Sequence, residues 1–320
     1  LIDVDLRDNV DCLPCGLNLT EATARTAAMM GVFSGLGEVV PPNAGSFRRL
    51  RVHLRENCVV GIPVHPTSCS AATTNLSELT ASCVARGMAE IGEGIGLADV
   101  GRNQPAALGV ISGVDPRPDG GPYVNQLMLA FTSGAGAPRA DGWLTILGIG
   151  AAGFLLRDSV EIDEMKYPIR VLEERIIADS EGAGRHRGAP GVRVEYGPVL
   201  GDMEVMWLSD GTHNAPRGVR GGLDGSCAVQ KKRARDGTLS EELGTYARVT
   251  VSAGESILSL SCGGGGYGPP QERDPARVAK DVREGWVSGD RARDVYAVAL
   301  RPDGSVDEAG TARLRSAGPQ

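Results

Sequence analysis

Residues 263–266 are four consecutive glycines, set between Ser261-Cys262 and Tyr267-Gly268-Pro269-Pro270. Lacking Cβ atoms, such a run persists in a folded chain where the backbone must bend sharply or approach another group closely. An alternating segment, Tyr246 to Ser261, leads into it, and a helix start follows, with Asp274 as N-cap and Pro275 at the first helical position. Strand, glycines and helix N-terminus together can cradle a phosphate on free amides. Here no Lys-Ser or Lys-Thr pair follows, three prolines remove amide donors, and Glu272 and Asp274 put negative charge where the anion would sit. The run reads as a built structural loop packed on a sheet.

Upstream, the chain mixes helices with strands. Asn18-Leu-Thr-Glu21 reads as an N-cap with glutamate at N3, opening a helix through Phe33 before Gly35 and Gly37. Leu50, Val52 and Leu54 alternate with basic residues as in a half-buried strand, and 58–62 predicts a second strand ending at Pro63. A second helix is expected after Asn75 as N-cap, its core stripe running Leu76, Leu79, Cys83, Val84, Met88 and Ile91, closed by Gly92. Strands are predicted over 107–112 and 123–132. After Ser159 the texture changes: 169–177, 192–196, 203–208, 247–251 and 257–260 read as strands with glycine turns, and 274–284 with 288–295 as a closing helical pair. The expected fold is α+β: a mixed α/β first part over 1–158, then a β-rich module over 159–320 that ends in helices.

Two loops carry polar side chains in numbers. His65 to Asn75 is rich in hydroxyls, which can hold a polar ligand or tie their own backbone. Ser133 to Trp143 combines glycines with Arg139, Asp141 and Trp143, a mixture suited equally to a pocket rim and to a structural turn.

The 45 glycines and 19 prolines, with 4% aromatic residues, favour turns and short elements over a long-helix bundle. A net charge of −7 opposes binding to nucleic acid or an anionic membrane. There is no run of about 18 apolar residues to span a bilayer, and the seven cysteines, odd in number and dispersed, suit a reducing, cytoplasmic setting. Cys12-Leu-Pro-Cys15 has metal or redox spacing but no second pair, so it reads as two small residues packed before a helix. The start at Leu1 is neither a signal peptide nor an initiator methionine, and the chain reads as cut.

The words around the glycines also carry a likeness. Gly263 to Pro275, then Asp281-Val-Arg-Glu-Gly-Trp-Val-Ser288 and Arg291-Ala-Arg-Asp-Val-Tyr296, resemble the C-terminal signature of the hydantoinase B/oxoprolinase family. Four further stretches are similar to that family: 41–48, the 134–142 loop, the segment Asp179 to Gly191, and Pro216-Arg-Gly-Val-Arg-Gly-Gly222. A fifth, Glu161 to Pro168, resembles its joining strand.

The resemblance implies a large subunit working with a hydantoinase A type partner that binds ATP. It implies ring opening of a hydantoin, 5-oxoproline or related lactam after phosphorylation of the carbonyl oxygen, which makes that oxygen a better leaving group. Ketone carboxylation, or a noncatalytic scaffold role, is the alternative. A divalent metal site would belong to an upstream half, and no metal ligand is assigned here. Asp141 and His65 are then the candidate catalytic residues, and Thr67, Ser68, Asn75, Arg139, Trp143 and His213 the candidate substrate contacts. Asp141 could equally cap its own turn before Gly142. One departure stands out, because an apolar run from Trp143 to Gly153 replaces the His- and Thr/Asn-rich segment of many hydantoinase-type members.

Overall fold

The computed structural model describes residues 1–37, 40–70, 75–101, 104–144 and 156–317. Residues 71–74 of the hydroxyl-rich loop and 145–155 of the apolar run lie outside the described residues. The strands are β1 (Ile2–Asp5), β2 (Leu50–His53), β3 (Val110–Val114), β4 (Pro122–Gln126), β5 (Ile169–Ile176), β6 (Val192–Pro198), β7 (Asp202–Leu208), β8 (Val229–Arg233), β9 (Tyr246–Ser252) and β10 (Ser256–Leu260). The helices are α1 (Glu21–Leu36), α2 (Ala44–Phe47), α3 (Leu76–Ile91), α4 (Val160–Lys166), α5 (Pro275–Arg283), α6 (Gly289–Asp294) and α7 (Glu308–Ser316). The fold is α+β, as expected.

Two four-stranded antiparallel sheets, ordered β5-β6-β10-β8 and β4-β3-β7-β9, face each other. Alternate residues explain the packing: Met203, Val205 and Trp207 of β7 turn inward to meet Val194 and Tyr196 of β6 and Ile257 of β10. A short turn at Ala106–Leu108 is pinned between the sheets, where Gln230 and Ser259 accept its amides and the Tyr196 hydroxyl donates to the Ala106 carbonyl at 2.7 Å. Since β3 and β4 pair within the sheet that holds β7 and β9, this sheet runs across residue 158.

Several local expectations change. The first helix is capped by Thr20, whose hydroxyl accepts from the Thr23 amide, while Asn18 is buried and ties loops together. Asn75 stands at the start of α3, but its amide donates to the Leu208 carbonyl instead of capping the helix. The buried residues of α3 are Glu78, Thr80, Ala81, Ser82, Ala85, Met88 and Ala89, whereas Ile91 is 76% exposed. Small residues win because α1 crosses close by: a Cβ on Gly31 would lie 2.4 Å from the Ala81 carbonyl oxygen. Residues 58–62 form turns, not a strand, and Glu161 to Lys166 of the 161–168 segment are helical in α4, with Ser159 as its N-cap.

The glycine run is the hub of the second half. The amides of Gly264 and Tyr267 donate to Ala189 and His186, those of Gly263 and Gly266 to Ser226 and Leu223, and that of Gly265 to Asp99. Partner segments thus recur every third residue, with partner numbers falling as the run rises. Three residues per turn without internal hydrogen bonds is the habit of the polyproline II helix, whose crowded packing admits only glycine in collagen. A Cβ at Gly263, Gly264, Gly265 or Gly266 would lie within 2.2 Å of a neighbouring backbone oxygen. None of the four has positive φ, so closeness of approach, not backbone bending, is what requires them. With their amides committed to protein oxygens, they form no phosphate cradle.

Candidate functional site

An apolar cavity of about 600 Å³ opens at one end of the β4-β3-β7-β9 sheet. Its floor is Leu108, Gly109 and Val110 with Met206, Trp207 and Leu208, and Gln104, Gln126 and Tyr246 border it. Cys15, Leu17 and Ser70 close the remaining side. Register explains the grouping: Val110 pairs with Gln126 on one side and Met206 on the other, and Leu208 pairs with Tyr246. Gly109 lets the floor close up, since a Cβ there would lie 2.8 Å from the Met206 carbonyl oxygen.

Asn18 builds the outer wall. Its carboxamide oxygen accepts from the Leu13 amide, and its nitrogen faces the carbonyls of Leu13, Cys15 and Ser68 at 2.8–3.0 Å. One buried side chain thereby fastens the Cys12–Cys15 loop to the 65–70 loop. No charged residue lines this cavity among the described residues. Its polar edge consists of two carboxamides, a hydroxyl, a thiol and a phenol. Gln126 donates to the Leu108 carbonyl at 3.1 Å, an anchor that fixes its orientation. A space of this size, apolar with few polar groups, is the usual form of a site for a small uncharged molecule.

The sequence candidates are spread over several places. Ser68 and Thr67 belong to the loop whose Ser70 lines the cavity. Thr67 closes its own turn, with amide and hydroxyl both on the Val64 carbonyl, and His65 is exposed at the loop tip. Asn75 is buried and reaches β7. Arg139 is exposed beside a groove made by Gly35, Gly37, Gly94 and Gly96. His213 lies in a polar cleft with Arg86, Asp99 and Arg217. Asp141 and Trp143 border a cavity of about 290 Å³ under α5, with Trp143 81% exposed. Among the described residues, the 65–75 and 133–143 loops therefore line different cavities.

Asp141 is held by arginines that the sequence reading did not single out. Arg273, 1% exposed, donates from Nη1 and Nη2 to both of its oxygens, and the Arg187 amide adds a third bond at 3.1 Å. Arg273 and Arg187 also both engage the buried Asp281, and the Arg187 guanidinium lies 4.6 Å above the Trp286 ring. Burial alone would raise the Asp141 carboxyl. The bonds and charge of Arg273, with Arg187 and Arg277, outweigh it and hold the group below the usual carboxylate range. His186, whose Nδ1 lies 3.8 Å from Asp141, is pushed down by burial and stays neutral. The arrangement is a buried ionic latch between the 133–143 loop and α5. Among the described residues, no group of three or more His, Cys, Asp or Glu could hold a metal ion, and no helix is long and apolar enough to cross a membrane.

The hydantoinase B/oxoprolinase family model matches residues 2–270. The chain belongs to this family. It is 31% identical over 299 residues to caprolactamase subunit beta of Pseudomonas jessenii, covering 91% of this chain and 51% of that relative. It therefore spans about half the length of that protein. The crystal structure of ATP-dependent caprolactamase from Pseudomonas jessenii superposes with a TM-score of 0.76 at 24% identity, over 97% of this chain and 54% of the other. Nucleotide-free acetone carboxylase gives 0.75 at 18% identity, over 98% and 46%. Both likenesses concern the fold.

Proposed function

We propose that this chain is the cavity-bearing part of a subunit in an ATP-dependent enzyme that opens an uncharged cyclic amide. The observation that carries this is the 600 Å³ cavity bordered by carboxamides, whose lining among the described residues carries no charge. A lactam presents one N–H donor beside one C=O acceptor, and the carboxamides of Gln104 and Gln126 offer the complementary pair. A ketone offers an acceptor alone, so the pairing favours the lactam over a carboxylase substrate. Among the described residues the lining offers no cation for the carboxylate of 5-oxoproline. The same reasoning favours a simple lactam, the substrate class named in the Pseudomonas jessenii relative.

ATP is handled by a hydantoinase A type subunit, and any divalent metal by parts of the family polypeptide outside this chain. Support comes from the glycine run, whose amides are spent on protein carbonyls and Ser226. ATP dependence and seven free cysteines suit a cytoplasmic setting. On this reading Gln104, Gln126 and Ser70 contact the ring, and Asp141 serves as a latch and not as an acid or base.

Trp207, in the cavity floor, provides the readout. Its fluorescence in this chain should change on titration with caprolactam and not with 5-oxoproline. Equal responses to both, or none to caprolactam, would remove the cavity from the substrate path. In the assembled complex, ATP turnover that requires bicarbonate would favour the carboxylase instead.

A further inference from the structure

The polar cleft of His213, about 470 Å³, is joined to the uncharged cavity by the end of β7. Leu208, the last residue of that strand, lines the cavity, and Asp210, two positions on, lines the cleft. Between them Ser209 is fully buried, with its amide on the Thr245 carbonyl at 2.7 Å. Helix α3 repeats the relationship. Asn75 at its start bonds the Leu208 carbonyl, while Leu79, Cys83 and Arg86, which share one helical face, line the cleft.

Asp99 sets the base of the cleft. It is 1% exposed, its carboxylate accepts from the Ser82 hydroxyl and the Arg217 amide, both at 3.2 Å, and Arg86 Nε lies 3.3 Å away. The Asp99 amide donates to the Arg217 carbonyl, and the Gly265 amide donates to Asp99, so the backbone of Arg217 is clamped to the glycine hub. Its side chain is not. Among the described residues the exposed Arg217 guanidinium has no hydrogen bond or ion pair, and the terminal nitrogens of Arg86 hydrogen-bond only the Cys83 sulfur, at 4.0 Å. One oxygen of Asp224 accepts from the Gly218 amide at 2.8 Å and the other is open. Asp224 and Arg217 line one cleft without pairing with each other. Two arginines and three aspartates thus present both signs of charge, which suits a ligand that carries both.

We infer that this cleft binds a small ω-amino acid, with its carboxylate on Arg217 and Arg86 and its ammonium at Asp224. The choice of ligand rests on the lactam reading. Net of ATP turnover, opening a lactam adds one water: its oxygen bonds the carbonyl carbon, the C–N bond breaks, and both water protons end on nitrogen. An uncharged ring becomes a zwitterion. The apolar cavity that suits the ring offers nothing to a carboxylate or an ammonium, whereas the cleft beyond Ser209 offers partners for both. The neighbouring sites divide substrate from product by charge.

Calorimetry of this chain with 6-aminohexanoate provides the test. Binding should be at least tenfold tighter than that of hexanoate or hexylamine, each of which carries one charge only, and should weaken with salt. Arg217→Gln removes a side chain that bonds nothing, and Asp224→Asn keeps the acceptor for Gly218. Both should leave melting unchanged and lower the affinity about tenfold or more, the scale of one charge-assisted hydrogen bond. Absence of binding, equal binding of hexanoate, or undiminished binding by the Arg217 variant would each overturn the inference. The Trp207 titration with caprolactam reports on the lactam reading separately. A response there without binding of 6-aminohexanoate overturns the cleft assignment alone, and Arg217-dependent binding without that response supports the cleft and removes the lactam.

Discussion

Arg273 reaches Asp141 across 132 positions of sequence and holds both carboxylate oxygens, at 2.6 and 2.9 Å, while its Nη2 also bonds Asp281 at 2.8 Å. The guanidinium fork suits two carboxylates at once, which a lysine cannot imitate. Through this one side chain the start of the C-terminal helices is fixed to the loop that carries Trp143.

Removing Arg273 leaves Asp141 and Asp281 facing each other without their shared cation. Arg273→Ala should cost about 3–5 kcal/mol, the range for a buried pair broken from one side, and Arg273→Lys should recover only part of it. Urea melting of the two variants against the parent measures this.

Asp141→Asn should lower the melting temperature and leave turnover per folded molecule nearly unchanged. Because the folded carboxyl sits below its unfolded value, the stability it adds is complete above about pH 4 and is lost as pH falls through the folded value. The difference between parent and variant should therefore shrink in acid. Unchanged melting with turnover down about a hundredfold would instead make Asp141 the acid or base.

Asp163 behaves in the opposite sense. Burial, with the nearby Asp158, raises its carboxyl to about 6. Its contribution is greatest below the unfolded value near 3.8 and declines as pH rises through 6. Asp163→Asn should raise the melting temperature at pH 8 and change it little at pH 4, as calorimetry at the two pH values would show.

Gly265→Ala places a methyl 2.2 Å from the Arg217 carbonyl oxygen, whereas Gly289→Ala meets nothing within 4 Å. The first should cost about 4 kcal/mol or prevent folding, and the second should be neutral. Soluble yield and denaturant midpoint compare them directly.

Gln126→Met keeps the bulk of the side chain and removes its carboxamide. In the assembled enzyme, KM for a lactam should rise about tenfold, as for a lost neutral hydrogen bond. Binding of a cyclic ketone should change less, since it uses only half of the pair.

Local chemistry made much of the second half legible. The Asp274-Pro275 start and the period-two strands are written in short stretches, and α5, β6, β7, β9 and β10 lie where those stretches place them. Asn18 misled because an asparagine before a helix reads as a cap, whereas the Leu13 amide takes the side-chain oxygen that would cap it and the Cys15 and Ser68 carbonyls hold its nitrogen. The stripe on α3 holds at Met88 but not at Cys83 or Ile91, since contact with Gly31 rewards small residues over large apolar ones. The cavity and the latch were hidden because Val110, Gln126, Met206 and Tyr246, or Asp141, Arg187 and Arg273, meet only through sheet register and long-range ion pairs. Arg187 and Arg273 did stand in quoted family words, but nothing local marked their partners.

The threefold arrangement around Gly263–Gly266 joins segments near residues 99, 134, 186 and 222, none of them adjacent in sequence. No bond in that hub can form until loops of roughly 40–160 residues have closed, so its entropy is spent before any contact repays it. Assembly of the hub is accordingly a late event, and both halves of the chain must arrive together. A nascent chain released before the glycines emerge would hold its paired helices but not its centre.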